Sequence, residues 1–395
     1  MKRNRQFAIA MVLAVIAVVP ALAQTSRIYR DGNGWVEEIT GSLPAVRSLK
    51  VTTDIGNINV NGGSDSEIKF VIKKHSYTSS EESARKTFQQ FGVTANRRGD
   101  MAVIEGSWDE GRGRRFNVDF QLSVPRSLQL IKLSSDGGGI NVNGLAGRLE
   151  AETGGGEVHL DDVAASLVET GGGGINVGSA NGELTLKTGG GSIKVVNASA
   201  KVSAESGGGG IWVGNAGSAE IETGGGSIKV DKCSGASRVS TGGGTIDLGD
   251  VNGSVTMETG GGSIRLSSAK GPVRVETGGG SLELWKLYNG VRAETGGGSI
   301  TAELVGSPQS PSALETSNGD LNIYIAPDVR INVQAEIETA FGHKINSDFP
   351  ELKAVCEGGD YGPKTCTASG SLNGGGQVIK LTTNMGNINI RRGKR

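Results

Sequence analysis

The sequence has few aromatic residues, few cysteines and few histidines. Aromatic residues make up 4% of the 395 residues, and there are three cysteines and three histidines. Aromatic side chains dominate most large cores, so their scarcity favours a thin interior filled by Val, Ile, Leu and Ala. The histidines, His75, His159 and His343, show no metal-ligand spacing. We therefore expect no metal and no other cofactor.

An excess of charge of one sign is also absent. The chain has 40 basic and 41 acidic residues, and three of the basic ones, Lys2, Arg3 and Arg5, lie in a segment that we expect to be removed. The remaining balance is mildly acidic, which gives no reason to expect nucleic acid as a partner. No Gly-x-Ser-x-Gly elbow, Gly-x-Gly-x-x-Gly motif or Walker P-loop is present. We therefore expect no catalytic residues.

Long apolar runs are limited to the N-terminus. The apolar run Phe7–Val19 follows the basic residues, and Ala21-Leu22-Ala23 reads as a small-x-small cleavage site. This pattern predicts a secretory signal peptide cleaved between Ala23 and Gln24. No cysteine follows the run and no second long apolar segment appears, so neither a lipid anchor nor a transmembrane anchor is expected. The predicted location is the periplasm, the outer surface or the extracellular space.

Glycine, in contrast, is abundant, at 66 residues, and it is periodic. Ten Gly-Gly-Gly runs recur in steps of 17 or 18 residues, with first glycines at 137, 154, 171, 189, 207, 224, 242, 260, 278 and 296. A fixed period of this size indicates a solenoid in which each repeat is one coil. The fold class predicted is therefore all-β: a single-stranded parallel β-solenoid, or β-helix, with 17–18-residue coils.

Each coil contains two short strands. In Val273–Thr277 and again in Leu282–Leu284, apolar or small residues alternate with charged or polar ones, which is typical of strands with one buried face. One corner between the strands is the glycine run, and we expect positive φ there. The other corner is often Asn-Gly, for which positive φ is also expected. The first inward position after each glycine corner is always aliphatic: Ile140, Val158, Ile175, Ile193, Ile211, Ile228, Ile246, Ile264, Leu282 and Ile300.

Two further positions repeat from coil to coil beside the glycines, and each forms a column of equivalent residues. A threonine precedes most runs, and a charged or polar residue, usually glutamate, precedes the threonine, as at Glu276-Thr277. A repeating acidic column is typical of a solvated face, although it could also offer a binding surface.

Both ends of the repeat array depart from the period. Ile68–Ile72 predicts a strand, Ser80–Phe91 an amphipathic helix, and strands are expected near Ala102–Glu105 and Phe116–Val124. Open strand edges invite aggregation, so we expect this helix-containing insertion to form a small N-terminal cap. The irregular segment Asp328–Gln377 is expected to form the C-terminal cap.

The cysteines divide into a pair and a single residue. Cys356 and Cys366 lie ten residues apart across a stretch rich in Gly and Pro, which in an exported protein predicts a disulfide. Cys233 lies at a coil corner, where a small residue is tolerated.

Two tryptophans occupy outward positions on the face that follows the glycine corner. Trp212 and Trp285 are four coils apart, about 19 Å at the usual strand spacing. Exposed aromatic rings can stack on sugars, which makes these residues candidate glycan contacts. Scattered surface aromatics are also common without any function.

Several segments together resemble a known family. They are the opening segment Thr52–Val60, the segment Leu122–Pro125, the Thr-Gly-Gly-Gly-Ser-Ile-x-Val repeats and the closing segment Thr382–Ile390, which nearly repeats the opening one. The pattern resembles the bacterial putative-adhesin family of exported β-solenoid proteins with Thr-x-x-Gly-x-Ile repeats. The resemblance covers about residues 42–395 and implies no catalytic residues.

These observations predict five regions: a signal peptide (1–23), an N-terminal lead-in (24–41), a first coil with the capping insertion (42–134), the regular glycine-rich solenoid (135–327) and a C-terminal cap with the closing coil (328–395). The expected function is that of a non-enzymatic adhesion-type or cell-envelope module that binds an extended polysaccharide or an envelope protein through its repetitive outer faces. The alternative is a polysaccharide lyase or hydrolase on a β-helix scaffold, which requires clustered carboxylates.

Overall fold

The computed structural model describes residues 24–109, 115–358 and 364–393. The predicted signal peptide, including Ala23, lies outside the described residues, and Gln24 is the first residue within them.

The N-terminal part holds the one helix, α1 (Glu81–Gln90), of the described residues. Its strands are β1 (Thr25–Asp31), β2 (Gly34–Pro44), β3 (Ser48–Thr53), β4 (Asn57–Gly63), β5 (Glu67–Ser76), β6 (Phe91–Arg98), β7 (Met101–Trp108) and β8 (Phe116–Pro125).

The regular part consists of short strands in pairs. They are β9 (Leu130–Ser135), β10 (Ile140–Leu145), β11 (Arg148–Thr153), β12 (Val158–Val163), β13 (Ser166–Thr170), β14 (Ile175–Ala180), β15 (Leu184–Thr188), β16 (Ile193–Ala198), β17 (Lys201–Ser206), β18 (Ile211–Ala216), β19 (Ser218–Thr223), β20 (Ile228–Cys233), β21 (Ser237–Thr241), β22 (Ile246–Val251), β23 (Val255–Thr259), β24 (Ile264–Ala269), β25 (Val273–Thr277), β26 (Leu282–Leu287), β27 (Val291–Thr295), β28 (Ile300–Leu304), β29 (Ser312–Asn318) and β30 (Leu321–Ile325).

The C-terminal part completes the fold with β31 (Ile331–Ile337), β32 (Ile345–Ser347), β33 (Lys353–Glu357), β34 (Thr365–Leu372), β35 (Val378–Met385) and β36 (Ile388–Arg392).

Each coil contributes one strand to each of two long sheets, as predicted for a parallel β-solenoid. Sheet A runs β1-β2-β5-β8-β4-β10 and then through the even-numbered strands to β30, followed by β36 and β32. Sheet B runs β6-β7-β3-β9-β11 and then through the odd-numbered strands to β29, followed by β35, β31, β34 and β33. The stacked coils pair in parallel, and antiparallel pairs occur at the ends.

The interior contains the aliphatic ladder that the sequence predicts. Ile246 pairs in register with Ile264, and Ile264 with Leu282, so equivalent side chains stack coil upon coil. All ten predicted inward residues are at most 2% exposed. Burial of this kind stabilises by about 25 cal/mol per Å² of apolar surface, and it leaves a narrow, filled core.

The threonine column is part of the core rather than of the surface. Thr153, at the end of β11, donates a hydrogen bond to the carbonyl oxygen of Gly138 on the preceding coil and accepts one from the amide of Gly156. The same pair of bonds recurs in the following coils. Each hydroxyl thus satisfies two backbone groups at the corner, which explains why threonine recurs there.

The glycine corners differ from the expectation of positive φ, which is wrong for all ten runs. Successive coils instead approach so closely that a side chain does not fit. A Cβ on Gly242 would collide with the carbonyl oxygen of Gly224, and one on Gly244 with that of Gly226. The first and third glycines of every run from 154 onward meet this obstacle, whereas a Cβ on the middle glycine, such as Gly243, has no atom of another coil within 3.8 Å.

The Asn-Gly corners also correct a prediction. Gly144 has φ of +74°, as expected, but Gly182 and Gly253 do not have positive φ. At Gly182 and Gly253 a Cβ would again collide with the backbone of the preceding coil.

The first and last coils in the sequence are not the outermost coils in space. Strand β3 lies between β7 and β9, and β4 lies between β8 and β10. At the other end, β35 lies between β29 and β31, and β36 lies between β30 and β32. The two similar segments Thr52–Val60 and Thr382–Ile390 therefore occupy equivalent places, each inserted between two other coils.

The N-terminal cap contains the predicted helix and strands, together with three strands, β1, β2 and β6, that the sequence pattern did not predict. Ser80 caps α1 by accepting a hydrogen bond from the amide of Ser83, and Ala84 and Phe88 are buried on one face of the helix. The buried Lys74 ammonium donates to the carbonyl oxygen of Phe88 and pairs with Glu37 at 3.0 Å. The positive charge thus lies at the C-terminal end of the helix, where it is favourable.

Candidate functional site

The coil interior is filled by aliphatic side chains, so a ligand can reach only the outer faces of the two sheets and the corners. Three regions of these faces contain features that could bind another molecule. They are an acidic groove on sheet B, an asparagine-rich groove on sheet A and the surroundings of the two predicted tryptophans, also on sheet A.

The acidic groove follows the predicted glutamate column beside the glycine corner. It has a volume of about 770 Å³ and extends along six coils, from β19 to β29. Glu258 and Glu276 pair in register, as do Glu276 and Glu294, so like charges stack at the strand spacing of about 4.8 Å. Their repulsion is unfavourable. The carboxylates along this groove are Glu222, Glu258, Glu276, Glu294 and Glu315.

Basic residues offset part of this charge along sheet B. At the N-terminal end, Lys132 lies 2.7 Å from Glu150, and this hydrogen-bonded ammonium lowers the pKa of the Glu150 carboxyl. Further along, Lys187 pairs with Glu205 at 3.4 Å, and within the groove Arg274 pairs with Glu276. Ion pairs therefore offset part of the acidic charge both within the groove and outside it.

The asparagine-rich groove lies on sheet A near the N-terminal end and has a volume of about 430 Å³. Asn141 donates an amide hydrogen bond of 2.8 Å to Asn59 on the adjacent strand. His159 continues the same column one coil further along. These hydrogen bonds join the first coil to its neighbour, so the amides serve the stacking of coils.

Trp212 lies half-buried on β18, on the outer face of sheet A. The Lys194 ammonium lies over its ring, 5.3 Å from the ring centroid. Trp212 is in register with Lys194 on one side and with Lys229 on the other. The far edge of the ring lies beside Gly214, where an added Cβ would be 3.4 Å from Trp212 Cη2. A shallow groove of about 550 Å³ surrounds this column.

Trp285, the second tryptophan predicted as a glycan contact, has different surroundings. Its ring lies 6.0 Å from that of Tyr324, with an angle of 33° between the ring planes. Strand β28 lies between these two strands, and its Glu303 is in register with Tyr324. Glu283 is also nearby, on the same strand as Trp285. The structure thus places one tryptophan among lysines and the other beside an aromatic ring and carboxylates.

Lys194 and Lys229 were not among the site residues predicted from the sequence. The signal was present in the period, because these residues precede and follow Trp212 by one coil each. Reading the outward positions down a column, rather than along the chain, would have revealed the grouping.

Cys356 on β33 and Cys366 on β34 are joined by a disulfide across an antiparallel pair at the C-terminal end. Cys233 is a free, buried thiol, and burial raises its pKa. It therefore lacks the exposed thiolate that a nucleophile needs.

Within the described ranges, no three His, Cys, Asp or Glu side chains are grouped so that they could bind a metal ion. In the same part of the chain, no helix has the length and apolar character needed to cross a membrane.

No protein-family model matches the sequence, and no curated protein matches it either. Among solved structures, a putative cell adhesion protein from Clostridium sporogenes is 10% identical, with 94% of this chain and 100% of that chain covered and a TM-score of 0.19. A putative adhesin from Parabacteroides distasonis is 14% identical, with 74% and 98% covered and a TM-score of 0.30.

A putative adhesin from Bacteroides fragilis is also 14% identical, with 67% of this chain and 96% of that chain covered and a TM-score of 0.30. These structural neighbours bear the adhesin name of the family that the sequence resembles.

Proposed function

We propose that this chain is an exported, non-enzymatic β-solenoid that acts as an adhesion-type or structural binding module of the cell envelope. The single observation that carries the proposal is the filled interior: the stacked side chains between sheets A and B are almost completely buried. Binding must therefore take place on the outer faces, which present equivalent positions coil after coil.

A repetitive face is suited to an extended partner. Stacked coils repeat every 4.8 Å or so, and a polymer lying along the rod can make many weak contacts at once. Linked weak contacts raise the overall affinity without one tight pocket. An extended polysaccharide or an elongated envelope protein has the required shape, whereas a small molecule would use only one or two coils.

The proposal is tested with the chain from Gln24 onward, purified and screened by affinity electrophoresis against a panel of polysaccharides and cell-wall preparations. A matched variant lacks the two coils from Ile246 to Ser281. Because Ile246 and Leu282 occupy equivalent positions, the deletion preserves the register. We expect the variant to fold and to bind the same polymer more weakly.

Three results would contradict the proposal. They are the absence of binding to every member of the panel, complete loss of binding in the two-coil deletion, and tight binding of a monosaccharide by the intact chain.

The predicted export is tested separately by fractionating cells that express the full chain or a chain starting at Gln24 after an initiator Met. Only the full chain should leave the cytoplasm.

A second candidate is a polysaccharide-active enzyme, and the acidic groove is the observation that favours it. Adjacent carboxylates such as Glu258 and Glu276 stack at about the separation found in retaining glycosidases. Prolonged incubation with the polymer that binds best, followed by measurement of new reducing ends and of unsaturated products, separates the two functions. Cleavage that is lost in Glu276→Gln would favour the enzyme.

A further inference from the structure

We infer that the column Lys194–Trp212–Lys229 on sheet A binds an anionic polysaccharide, by stacking a sugar ring on Trp212 and pairing the acidic groups of neighbouring sugars with the two lysines. This inference rests on the proposed function and specifies the class of its ligand. It concerns the face opposite the acidic groove.

The first step of the argument is the geometry of the column. Lys194, Trp212 and Lys229 occupy equivalent positions on three successive strands. The two lysine Cα atoms are therefore separated by two strand spacings, about 10 Å. A ring stacked on the central residue would have one ammonium group on each side along the axis of the rod.

The second step is the shape of the surface around the tryptophan. The edge of its ring lies against Gly214, where a side chain is absent, and the neighbouring Val196 is 45% exposed. These residues form a shallow apolar platform beside the charged groups. Sugar rings have apolar faces and a polar rim, so this combination suits them better than it suits a flexible acidic chain without rings.

The third step is the charge. Lys194 is exposed and forms no ion pair with any residue that the structure describes, although its ammonium lies over the Trp212 ring. Lys229 lies 3.6 Å from Asp231, and Asp247 is in register with it on the next strand. Lys194 therefore provides the free cation, and Lys229 provides a second one that is partly neutralised.

Trp285 serves as the internal comparison. It is half-buried on the same sheet, but it packs beside Tyr324 and near Glu303, and the nearby Glu283 pairs with Arg265 at 3.0 Å. The Glu303 carboxylate at that place would repel an anionic polymer. The inference therefore predicts that the two tryptophans differ in function although they look alike in sequence.

The experiment uses polygalacturonate as the probe, with fully methyl-esterified pectin as the uncharged counterpart and poly-L-glutamate as the anion without rings. Affinity of the chain from Gln24 onward is measured by titration at low and at high salt. We expect polygalacturonate to bind, and to bind at least about tenfold more tightly than either counterpart, with affinity falling as salt rises.

Trp212→Ala, and the double variant Lys194→Gln/Lys229→Gln, should each weaken this binding about tenfold. The matched controls are Trp285→Ala for the aromatic ring and Lys187→Gln/Lys201→Gln, on sheet B, for the charge. Both controls should bind within about twofold of the wild type. All substituted side chains point outward, so circular dichroism spectra and melting temperatures should stay unchanged.

The inference is overturned if polygalacturonate does not bind, if esterified pectin or poly-L-glutamate binds equally well, or if Trp212→Ala and Trp285→Ala have the same effect. These outcomes differ from failure of the proposed function. Binding of a neutral wall polymer, weakened by the two-coil deletion but not by Trp212→Ala, would overturn the inference and leave the proposed function intact.

Discussion

The hydroxyl group of Thr277 joins two successive coils: it donates a hydrogen bond of 2.9 Å to the carbonyl oxygen of Gly262 and accepts one of 3.3 Å from the amide of Gly280. Both glycines are the third of their runs. Threonine and glycine therefore act together, since the glycines allow the close approach that the hydroxyl spans.

Thr277→Val keeps the size and shape of the side chain but removes the hydroxyl. Two backbone groups in a buried corner lose their partner, and we expect the free energy of unfolding to fall by about 1–3 kcal/mol. Thr277→Ser should retain most of the stability, because Ser206 makes the same two bonds in its own coil. Urea denaturation measures the difference. The outward-facing Thr256→Val should change little, and an equal loss there would contradict the assignment.

The positions within one glycine run should differ sharply. Gly244→Ala forces a Cβ against the carbonyl oxygen of Gly226 and should cost about 1–3 kcal/mol. Gly243→Ala places its Cβ where no heavy atom of a non-adjacent residue lies within 4 Å, and it should melt within 1–2 °C or so of the wild type. Differential scanning calorimetry compares the two. Equal melting temperatures would mean that the coils do not approach as closely as the structure indicates.

The cysteines should differ in chemistry. Peptide mapping without reduction should recover Cys356 linked to Cys366 and Cys233 as a free thiol. Because burial raises the pKa of the Cys233 thiol above its ordinary value of 9.0, iodoacetamide at pH 8 should modify it only after denaturation. Recovery of Cys356 and Cys366 as free thiols, or rapid modification of Cys233 in the native chain, would contradict these assignments.

The same shift has a consequence for stability at high pH. The folded-state pKa of Cys233 lies above the unfolded-state value, so the neutral thiol favours the folded state. This contribution is fully present below about pH 9 and is lost as the pH rises through the folded-state pKa. Cys233→Ala should abolish this part of the pH dependence, which parallel denaturation series between pH 7 and 10.5 would detect.

Removal of the last coil should be more damaging than removal of two coils from the middle. A chain that ends at Gln377 lacks β35 and β36, which lie between β29–β30 and β31–β32. Because β29–β30 and β31–β32 then lose the strands that lie between them, we expect exposed apolar surface, dye binding and aggregation. The deletion of Ile246–Ser281 is the matched control and should stay soluble and melt cooperatively. A soluble, cooperative chain ending at Gln377 would show that the closing coil is dispensable.

Much of the fold was predictable because every coil of a solenoid has nearly the same length and the same pattern of buried residues. The inward ladder from Ile140 to Ile300, the two strands per coil and the helix near Ser80 all depend on a local periodicity of apolar residues, two for strands and about 3.6 for a helix, which a single chain displays directly. The tryptophans were found as outward residues for the same reason. Their different environments were not found, because Lys194 and Tyr324 approach Trp212 and Trp285 from other coils.

The reason for the triple glycines could not be read from the chain either. Positive φ is the usual explanation for a glycine corner, but at Gly242 and Gly244 the constraint is the backbone of the previous coil. A contact between residues 18 apart becomes visible only when the stacking distance is known.

The coil length, the buried side of each strand and the positions that face solvent all follow from the amino-acid sequence, because they depend on the period of the chain. The order of the coils at the two ends, where Thr52–Val60 and Thr382–Ile390 insert between other coils, follows only from the folded structure. The folded structure also placed different charges around the two outward-facing tryptophans. Both depend on pairing between strands distant in sequence, and strand order is not contained in the periodicity of any one strand.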